Sequence, residues 1–148
     1  MTDRVYVDAN VVVYALDVDA PFHRASLRFW RSVVATEIGA AISPQVLHEA
    51  FVALTRRVAR PLDPPTVAEA LSGILRTPGL LLLCPGELAT EEALRLAAAR
   101  GVRGPGIYDV AHIAVMREHG LRRIVTFNRR HFEGYEGIEP VEPPADQP

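Results

Sequence analysis

Short apolar runs and longer amphipathic segments alternate along the chain. Runs rich in valine, isoleucine and leucine predict strands, and segments whose apolar residues recur every three or four positions predict helices. We predict strands at 4–7, 40–42, 80–83 and 123–127, with a short edge strand at 138–141. Helices are predicted at 11–16, 23–36, 44–58, 66–76, 87–100 and 107–119. This alternation predicts an α/β fold, a three-layer α/β/α sandwich around a mostly parallel sheet of four to five strands.

Individual residues support these boundaries. Ser43 and Pro44 make a strong helix start, with serine as the cap and proline at the first helical position. The 80–83 run is wholly apolar, which predicts a strand buried on both faces of the sheet. Cys84 follows that run, and we expect it to be a small buried hydrophobic residue.

The composition is typical of one globular domain. The chain has 148 residues, of which 49% are hydrophobic, and a single cysteine, so no intrachain disulfide can form. Residues 1–141 are predicted to form the domain, and residues 142–148 are expected to be a disordered tail because they offer little to bury. We expect no membrane contact and a cytoplasmic location, because the sequence has neither signal-peptide character nor a run long enough to cross a bilayer.

Four polar side chains are predicted to meet at one edge of the sheet. Asp8 and Asn128 directly follow the first and fourth strands, so they lie at the carboxyl ends of those strands. Helices that connect parallel strands begin at that same edge, and Glu49 and Asp109 lie near the start of two such helices. Ligands of open parallel sheets bind at this edge, most often where the strand order reverses.

Three carboxylates at one edge require a compensating positive charge. The chain contains no lysine, since all sixteen basic residues are arginines, and no arginine lies within two positions of Asp8, Glu49 or Asp109. A divalent cation is the natural compensation, and ligands that are all oxygens suit Mg²⁺ or Mn²⁺ better than Zn²⁺. Such an ion can activate water and stabilise charge on a phosphate. Taken singly, each acid also has a purely structural explanation, as a helix cap or a first-turn acid that favours the helix dipole.

The order and spacing of these residues resemble the PIN-domain nucleases. The resemblance is carried by Asp8 and Asn10 after the first strand, the helical Glu49, Asp109 at the start of a helix, and the 126–132 segment Thr-Phe-Asn-Arg-Arg-His-Phe. It is strongest with the VapC-type toxin ribonucleases of toxin–antitoxin pairs. The resemblance implies a Mg²⁺- or Mn²⁺-dependent endoribonuclease, a homodimer, an RNA substrate and inhibition by a cognate VapB-type antitoxin.

The resemblance also implies roles for individual residues. Asp8, Glu49 and Asp109 match the acidic metal ligands of the family. Asn128 matches a fourth catalytic position that is often aspartate, so this chain has one negative charge fewer there. Asn10 and Thr126 match polar supporting positions beside the metal.

Several other side chains near this edge are candidates for weaker roles. Arg129 and Arg130 follow Asn128 at once, and Arg103 precedes a glycine-rich loop, so all three are candidates for contacts with RNA phosphates. His112 lies one helical turn after Asp109 and could therefore contact a residue that binds the metal. A histidine packed in the core is the simpler interpretation.

Phosphoryl transfer and RNA binding without cleavage are the two alternatives to ribonuclease activity. Haloacid-dehalogenase-like phosphatases and response-regulator receivers also place an aspartate after the first strand, but they rely on a lysine near the phosphoryl group, and this chain has none. A PIN-like module that binds RNA without cleaving it stays open, because Asn128 weakens the acidic set.

Overall fold

A parallel sheet of five strands forms the centre of the molecule, in a computed structural model that describes residues 3–144. The strands are β1 (Val5–Val7), β2 (Ala40–Ile42), β3 (Leu81–Leu82), β4 (Arg123–Val125) and β5 (Glu139–Val141). Their order across the sheet is β3-β2-β1-β4-β5, and every neighbouring pair is parallel. Because β1 lies between β2 and β4, the order reverses at β1, which is where the sequence predicted the ligand edge.

Six helices connect the strands and cover the sheet. They are α1 (Ala9–Leu16), α2 (His23–Val34), α3 (Pro44–Val52), α4 (Pro64–Leu75), α5 (Glu87–Arg100) and α6 (Gly106–Glu118). Helix α1 packs against α2, and α5 packs against α6. The predicted α/β/α sandwich with a parallel sheet is therefore confirmed, including the short fifth strand at the edge beside β4.

The three central strands form the core because their side chains are covered on both faces. All residues of β1 and β2 are buried, as are Ile124 and Val125 of β4. Valine, isoleucine and tyrosine suit a pleated surface that is packed from both sides. Tyr6 is fully buried in the middle of this core, so its hydroxyl group needs a partner inside the protein.

The predictions that the 80–83 run is buried on both faces and that Cys84 is buried were wrong. Leu81 and Leu82 of β3 are 44% and 42% exposed, and Cys84 is exposed as well, so that of the three residues 81–83 Leu83 alone is buried. The reason is the position of β3 at the edge of the sheet, where a strand has a neighbour on one side only. An apolar run predicts a strand, but it does not reveal which strand lies at the edge.

The helix predicted over 44–58 differs from the observed one, and the tail predicted over 142–148 lies partly outside the described residues. The helix predicted over 44–58 is α3 followed by a π-helical turn at Ala53–Arg57, which buries Leu54. Pro143 is buried, whereas residues 145–148, the remainder of the expected tail, lie outside the described residues. Among the described residues, no helix combines the length and the apolar character that crossing a membrane requires.

A pair of substitutions in neighbouring strands tests the position of β3. Ile42 is fully buried and pairs in register with Leu82, which is 42% exposed. We expect Ile42→Ala to lower the free energy of unfolding by about 2–5 kcal/mol, because it leaves a cavity in the core. Leu82→Ala should cost much less, since much of its side chain already faces solvent. Urea denaturation of both variants checks this, and equal losses would contradict an exposed β3.

Candidate active site

Asp8 lies at the carboxyl end of the central strand and is almost completely buried, with 7% of its surface exposed. It caps α1, and its Oδ1 accepts a hydrogen bond from the Ala9 amide at 2.7 Å. Its Oδ2 accepts hydrogen bonds from the Thr126 hydroxyl at 2.7 Å and from Asn10 Nδ2 at 3.2 Å. Burial nevertheless raises the pKa of Asp8, and the nearby charge of Glu49 adds to this, while His112 and the bonds from Thr126 and Ala9 oppose it.

The two predicted supporting residues connect Asp8 to the end of β4. Asn10 Nδ2 also donates to Thr126 Oγ1 at 3.3 Å, and Asn10 Oδ1 accepts a bond from the Phe127 amide at 3.2 Å. Thr126 is fully buried, and its hydroxyl oxygen accepts a bond from the Asn128 amide at 2.9 Å. Asn10 and Thr126 therefore hold the segment that carries Asn128 beside Asp8, and the Asn128 residue itself is exposed.

Glu49 projects from the second turn of α3 and is half-buried. Its Oε2 lies 2.6 Å from Nε2 of His112, which belongs to α6 and is almost fully buried. On the other side of the ring, Nδ1 lies 2.7 Å from the hydroxyl of Tyr6, and that hydroxyl lies 2.7 Å from Oγ of Ser43. A continuous chain of hydrogen bonds thus runs from Glu49 into the core.

Asp109 lies in the first turn of α6 and is half-buried. Its Oδ2 is 3.1 Å from Nδ1 of His131 in the 3₁₀ turn at Arg129–His131. Burial raises the pKa of Asp109, and the charges of Asp8 and Glu49 raise it further, whereas His131 and His112 lower it. Asp8 and Glu49 therefore lie close enough to Asp109 for their charges to act on it.

The residues present suit a divalent cation. Ligand atoms of Asp8, Glu49 and His112 all lie within 4.8 Å of one another. Two of these residues are carboxylates, Asp109 adds a third negative charge nearby, and the pKa values of Asp8 and Asp109 are raised. A bound cation would offset the repulsion between these carboxylates, and their oxygens are the ligands that Mg²⁺ and Mn²⁺ prefer.

The three arginines predicted to contact RNA phosphates are all exposed, and they lie in two separate segments. Arg129 and Arg130 lie in the 3₁₀ turn after Asn128, and Arg103 lies in the loop before α6. A groove of about 370 Å³ is lined by the 127–131 segment, with Glu133 and Glu142 also in its wall. The two arginines therefore line a groove together with Asn128 and His131, and His131 contacts Asp109.

His112 has a larger role in the site than the sequence indicated, and Tyr6 was not predicted to belong to the site. His112 was expected to be a packed core residue, and it is buried, but it also contacts Glu49 directly. Its spacing of three positions from Asp109 was the signal, because residues three apart lie on the same face of a helix. The signal for Tyr6 was a hydroxyl group in an otherwise apolar buried strand, which has to find a polar partner.

The fold and its acidic edge define a class of α/β protein suited to metal-assisted hydrolysis. The chain belongs to the PIN domain family, whose model matches residues 5–137. It is 28% identical over 144 residues to Ribonuclease VapC37 of Mycobacterium tuberculosis, a match that covers 94% of this chain and 96% of the relative.

Solved structures of the same fold agree with this membership. VapC20 of Mycobacterium tuberculosis, described as a sarcin–ricin loop cleaving toxin, superposes with a TM-score of 0.69 at 20% identity, over 86% of this chain and 92% of VapC20. The structure of VapBC2 from Rickettsia felis, bound to a DNA fragment from its promoter, superposes with a TM-score of 0.64 at 17% identity, over 94% of this chain and 98% of that one. At these identities the likeness concerns the fold alone.

The raised pKa values predict how stability depends on pH. A carboxyl group whose pKa is higher in the folded chain stabilises the fold fully below its unfolded pKa, and this contribution is lost as the pH rises through the folded value. For Asp8 and Asp109 the loss begins above their ordinary pKa of 3.8. We therefore expect Asp8→Asn to reduce the fall in stability of the metal-free protein as the pH rises, measured by urea denaturation in EDTA.

A carboxyl group with the opposite shift provides the control. The hydrogen bonds that Asp63 receives from Thr66 lower the pKa of Asp63, so its contribution is present above 3.8 and is lost as the pH falls. Asp63→Asn should therefore remove a gain in stability that occurs below about pH 3.8 and leave the fall above that pH unchanged. Identical pH profiles for wild type and Asp8→Asn would contradict the burial of a charged Asp8.

Proposed function

We propose that this chain is a metal-dependent endoribonuclease and the toxin of a toxin–antitoxin pair. The observation that carries the proposal is the cluster of Asp8, Glu49 and His112 at the carboxyl edge of a PIN-family sheet, with ligand atoms within 4.8 Å of one another. Asp109 lies outside this cluster but close enough for the charges of Asp8 and Glu49 to raise its pKa. A relative that matches this chain nearly end to end is named a ribonuclease, which supports RNA as the substrate.

Asp8, Glu49 and Asp109 would hold the metal, and Mg²⁺ or Mn²⁺ suits their oxygen ligands. When bound, such an ion lowers the pKa of a coordinated water and neutralises charge on the phosphate that water attacks. The protein contributes by holding the carboxylates of Asp8 and Glu49 in place before substrate binds. Thr126 and Asn10 fix one carboxylate oxygen of Asp8, and His112 fixes one carboxylate oxygen of Glu49, so neither side chain has to be ordered when substrate arrives.

The arginines beside the acids are suited to the substrate backbone. Arg129 and Arg130 line the groove that starts at Asn128, and guanidinium groups bind phosphates without reading the base sequence. Arg103, exposed in the loop before α6, is the third candidate. Because the whole chain carries a net charge of −2, RNA binding by this protein depends on such local cations and on the metal.

The biological setting follows from relatives of the same fold. The Klebsiella pneumoniae structure is described as a toxin–antitoxin complex, and the Rickettsia felis structure pairs its toxin with an antitoxin. We infer that this chain likewise acts with a cognate VapB-type antitoxin that inhibits it, in the cytoplasm. The homodimer stays a prediction, and sedimentation of the purified chain tests it.

A non-catalytic RNA-binding module is the second candidate, and Asn128 is the observation that favours it. An amide at the fourth acidic position removes one negative charge, which weakens binding of a second metal ion. Metal binding without cleavage of any RNA would support this alternative.

Cleavage of a mixed RNA pool separates the two candidates. We expect the purified protein to cleave RNA with Mg²⁺ or Mn²⁺ and to be inactive in EDTA. Asp8→Asn and Asp109→Asn should each lower the rate by about 100-fold or more, because each removes a ligand charge from the metal centre. Thermal denaturation of the variants confirms that they fold. Full activity in Asp109→Asn would rule out the proposed centre.

A substitution at Asn128 tests the missing fourth charge. Asn128→Asp should tighten Mn²⁺ binding, since it adds a carboxylate at an exposed position beside Asp8 without disturbing the core. Asn128→Ala is the matched control, because it alters the same side chain and adds no charge. Calorimetric titration with Mn²⁺ measures both, and equal affinities would show that residue 128 does not take part in metal binding.

A further inference from the structure

His112 connects α6 and α3, which carry Asp109 and Glu49, with β1, which Asp8 directly follows. The ring belongs to α6, which also carries Asp109, and its Nε2 contacts Glu49 on α3 at 2.6 Å. Its Nδ1 contacts Tyr6 on β1 at 2.7 Å, two residues before Asp8. The ring is 1% exposed, so both nitrogens make their contacts out of solvent.

The direction of the hydrogen bonds follows from the chemistry of the groups. The ionised carboxylate of Glu49 can only accept, so Nε2 of His112 carries the hydrogen and donates it. Nδ1 accepts from the Tyr6 hydroxyl when the ring is neutral and donates to it when the ring is protonated, and in both states Nε2 donates to Glu49. The Tyr6 hydroxyl also bonds to the Ser43 hydroxyl. Ser43 is the N-cap residue of α3, and its hydroxyl bonds to Tyr6 instead of making a side-chain capping bond, so the chain of bonds returns to the helix that carries Glu49.

A second bond connects the same two helices. Gln45 of α3 donates from Nε2 to the Tyr108 carbonyl of α6 at 2.9 Å. The same amide nitrogen lies 3.2 Å from Nε2 of His112, where the imidazole hydrogen already points to Glu49. With the hydrogen on Nε2, both of these nitrogens are donors, so their approach is not a hydrogen bond, and α3 bonds to the ring through Glu49.

We propose that His112 is a positioning residue that orients the Glu49 carboxylate and fixes the spacing of β1, α3 and α6 at the metal centre. The inference rests on the proposed metal-dependent activity. Two simpler roles make different predictions. An imidazole that only fills the core would be replaceable by any residue of similar size, and an imidazole that binds the metal directly would need an Nε2 without hydrogen.

Two amide substitutions separate the two nitrogens of the ring. In His112→Gln the amide nitrogen takes the place of Nε2 and can still donate to Glu49. In His112→Asn the shorter amide takes the place of Nδ1 and leaves Glu49 without its donor. Tyr6→Phe keeps the imidazole and removes the hydroxyl group that supports it. His48→Asn is the control, because His48 is an exposed histidine on α3 immediately before Glu49.

Binding of Mn²⁺ by the full chain, measured by the loss of the free-ion electron paramagnetic resonance signal, is the readout. We expect His112→Asn to weaken binding by about 10-fold or more, as the loss of a group that orients a metal ligand does. His112→Gln should recover most of the wild-type affinity, and Tyr6→Phe should lie between the two. His48→Asn should bind as the wild type does. RNA cleavage is measured separately, so a chain that binds Mn²⁺ and cleaves nothing overturns the nuclease and not this inference.

Four outcomes would overturn the role of His112. Unchanged Mn²⁺ binding in His112→Asn would show that Glu49 does not depend on the imidazole. Equal weakening in His112→Gln and His112→Asn, with folding intact, would show that the donor to Glu49 is not what matters. Weakened Mn²⁺ binding with unchanged Mg²⁺ activation of cleavage in His112→Asn would identify the ring as a direct nitrogen ligand. If His112→Asn does not fold, wild-type affinity in Tyr6→Phe would equally contradict the proposal.

Discussion

A carboxylate buried at the end of the central strand is the constraint on which the site depends. An unpaired charge there would cost several kcal/mol, so the surrounding chain has to supply hydrogen-bond donors. The Ala9 amide, the Thr126 hydroxyl and the Asn10 amide supply them to Asp8. The pKa of Asp8 is raised all the same, so these neutral donors do not replace the hydration that the carboxylate loses. The fold thus keeps a deficit of positive charge at the position where a cation would bind.

In the second half of the site, hydrogen bonds between side chains act together with the apolar packing of α3 and α6. Glu49 and Asp109 stand on different helices, and a small rotation of either helix would move its carboxylate away from Asp8. The bonds from His112 to Glu49 and to Tyr6 oppose such a rotation, because they join both helices to the central strand. Buried polar networks of this kind stabilise one arrangement when every member is satisfied.

Most of the fold could be predicted from the sequence, because apolar periodicity and turn residues act locally. Strand β2 and helix α5 have the predicted ends, and the topology of connected parallel strands was enough to collect Asp8, Glu49 and Asp109 at one edge. What local patterns could not provide was the position of β3 at the rim of the sheet, which exposes Leu81 and Cys84. Local patterns could not predict the bond between His112 and Glu49 either, because it joins residues 63 positions apart.

The hydrogen-bonded residues of the site lie far apart in the sequence, and this has a consequence for folding. Asp8 takes its hydroxyl donor from Thr126, 118 positions later, and Tyr6 meets His112 after 106 positions. Such non-local contacts form late, after the entropy of closing long loops has been lost. A chain that lacks β4 therefore leaves Asp8 without its hydroxyl donor. The surroundings of the buried carboxylate are complete only in a chain that has folded through residue 126, so any shortened form that ends before β4 has an unfinished acidic edge.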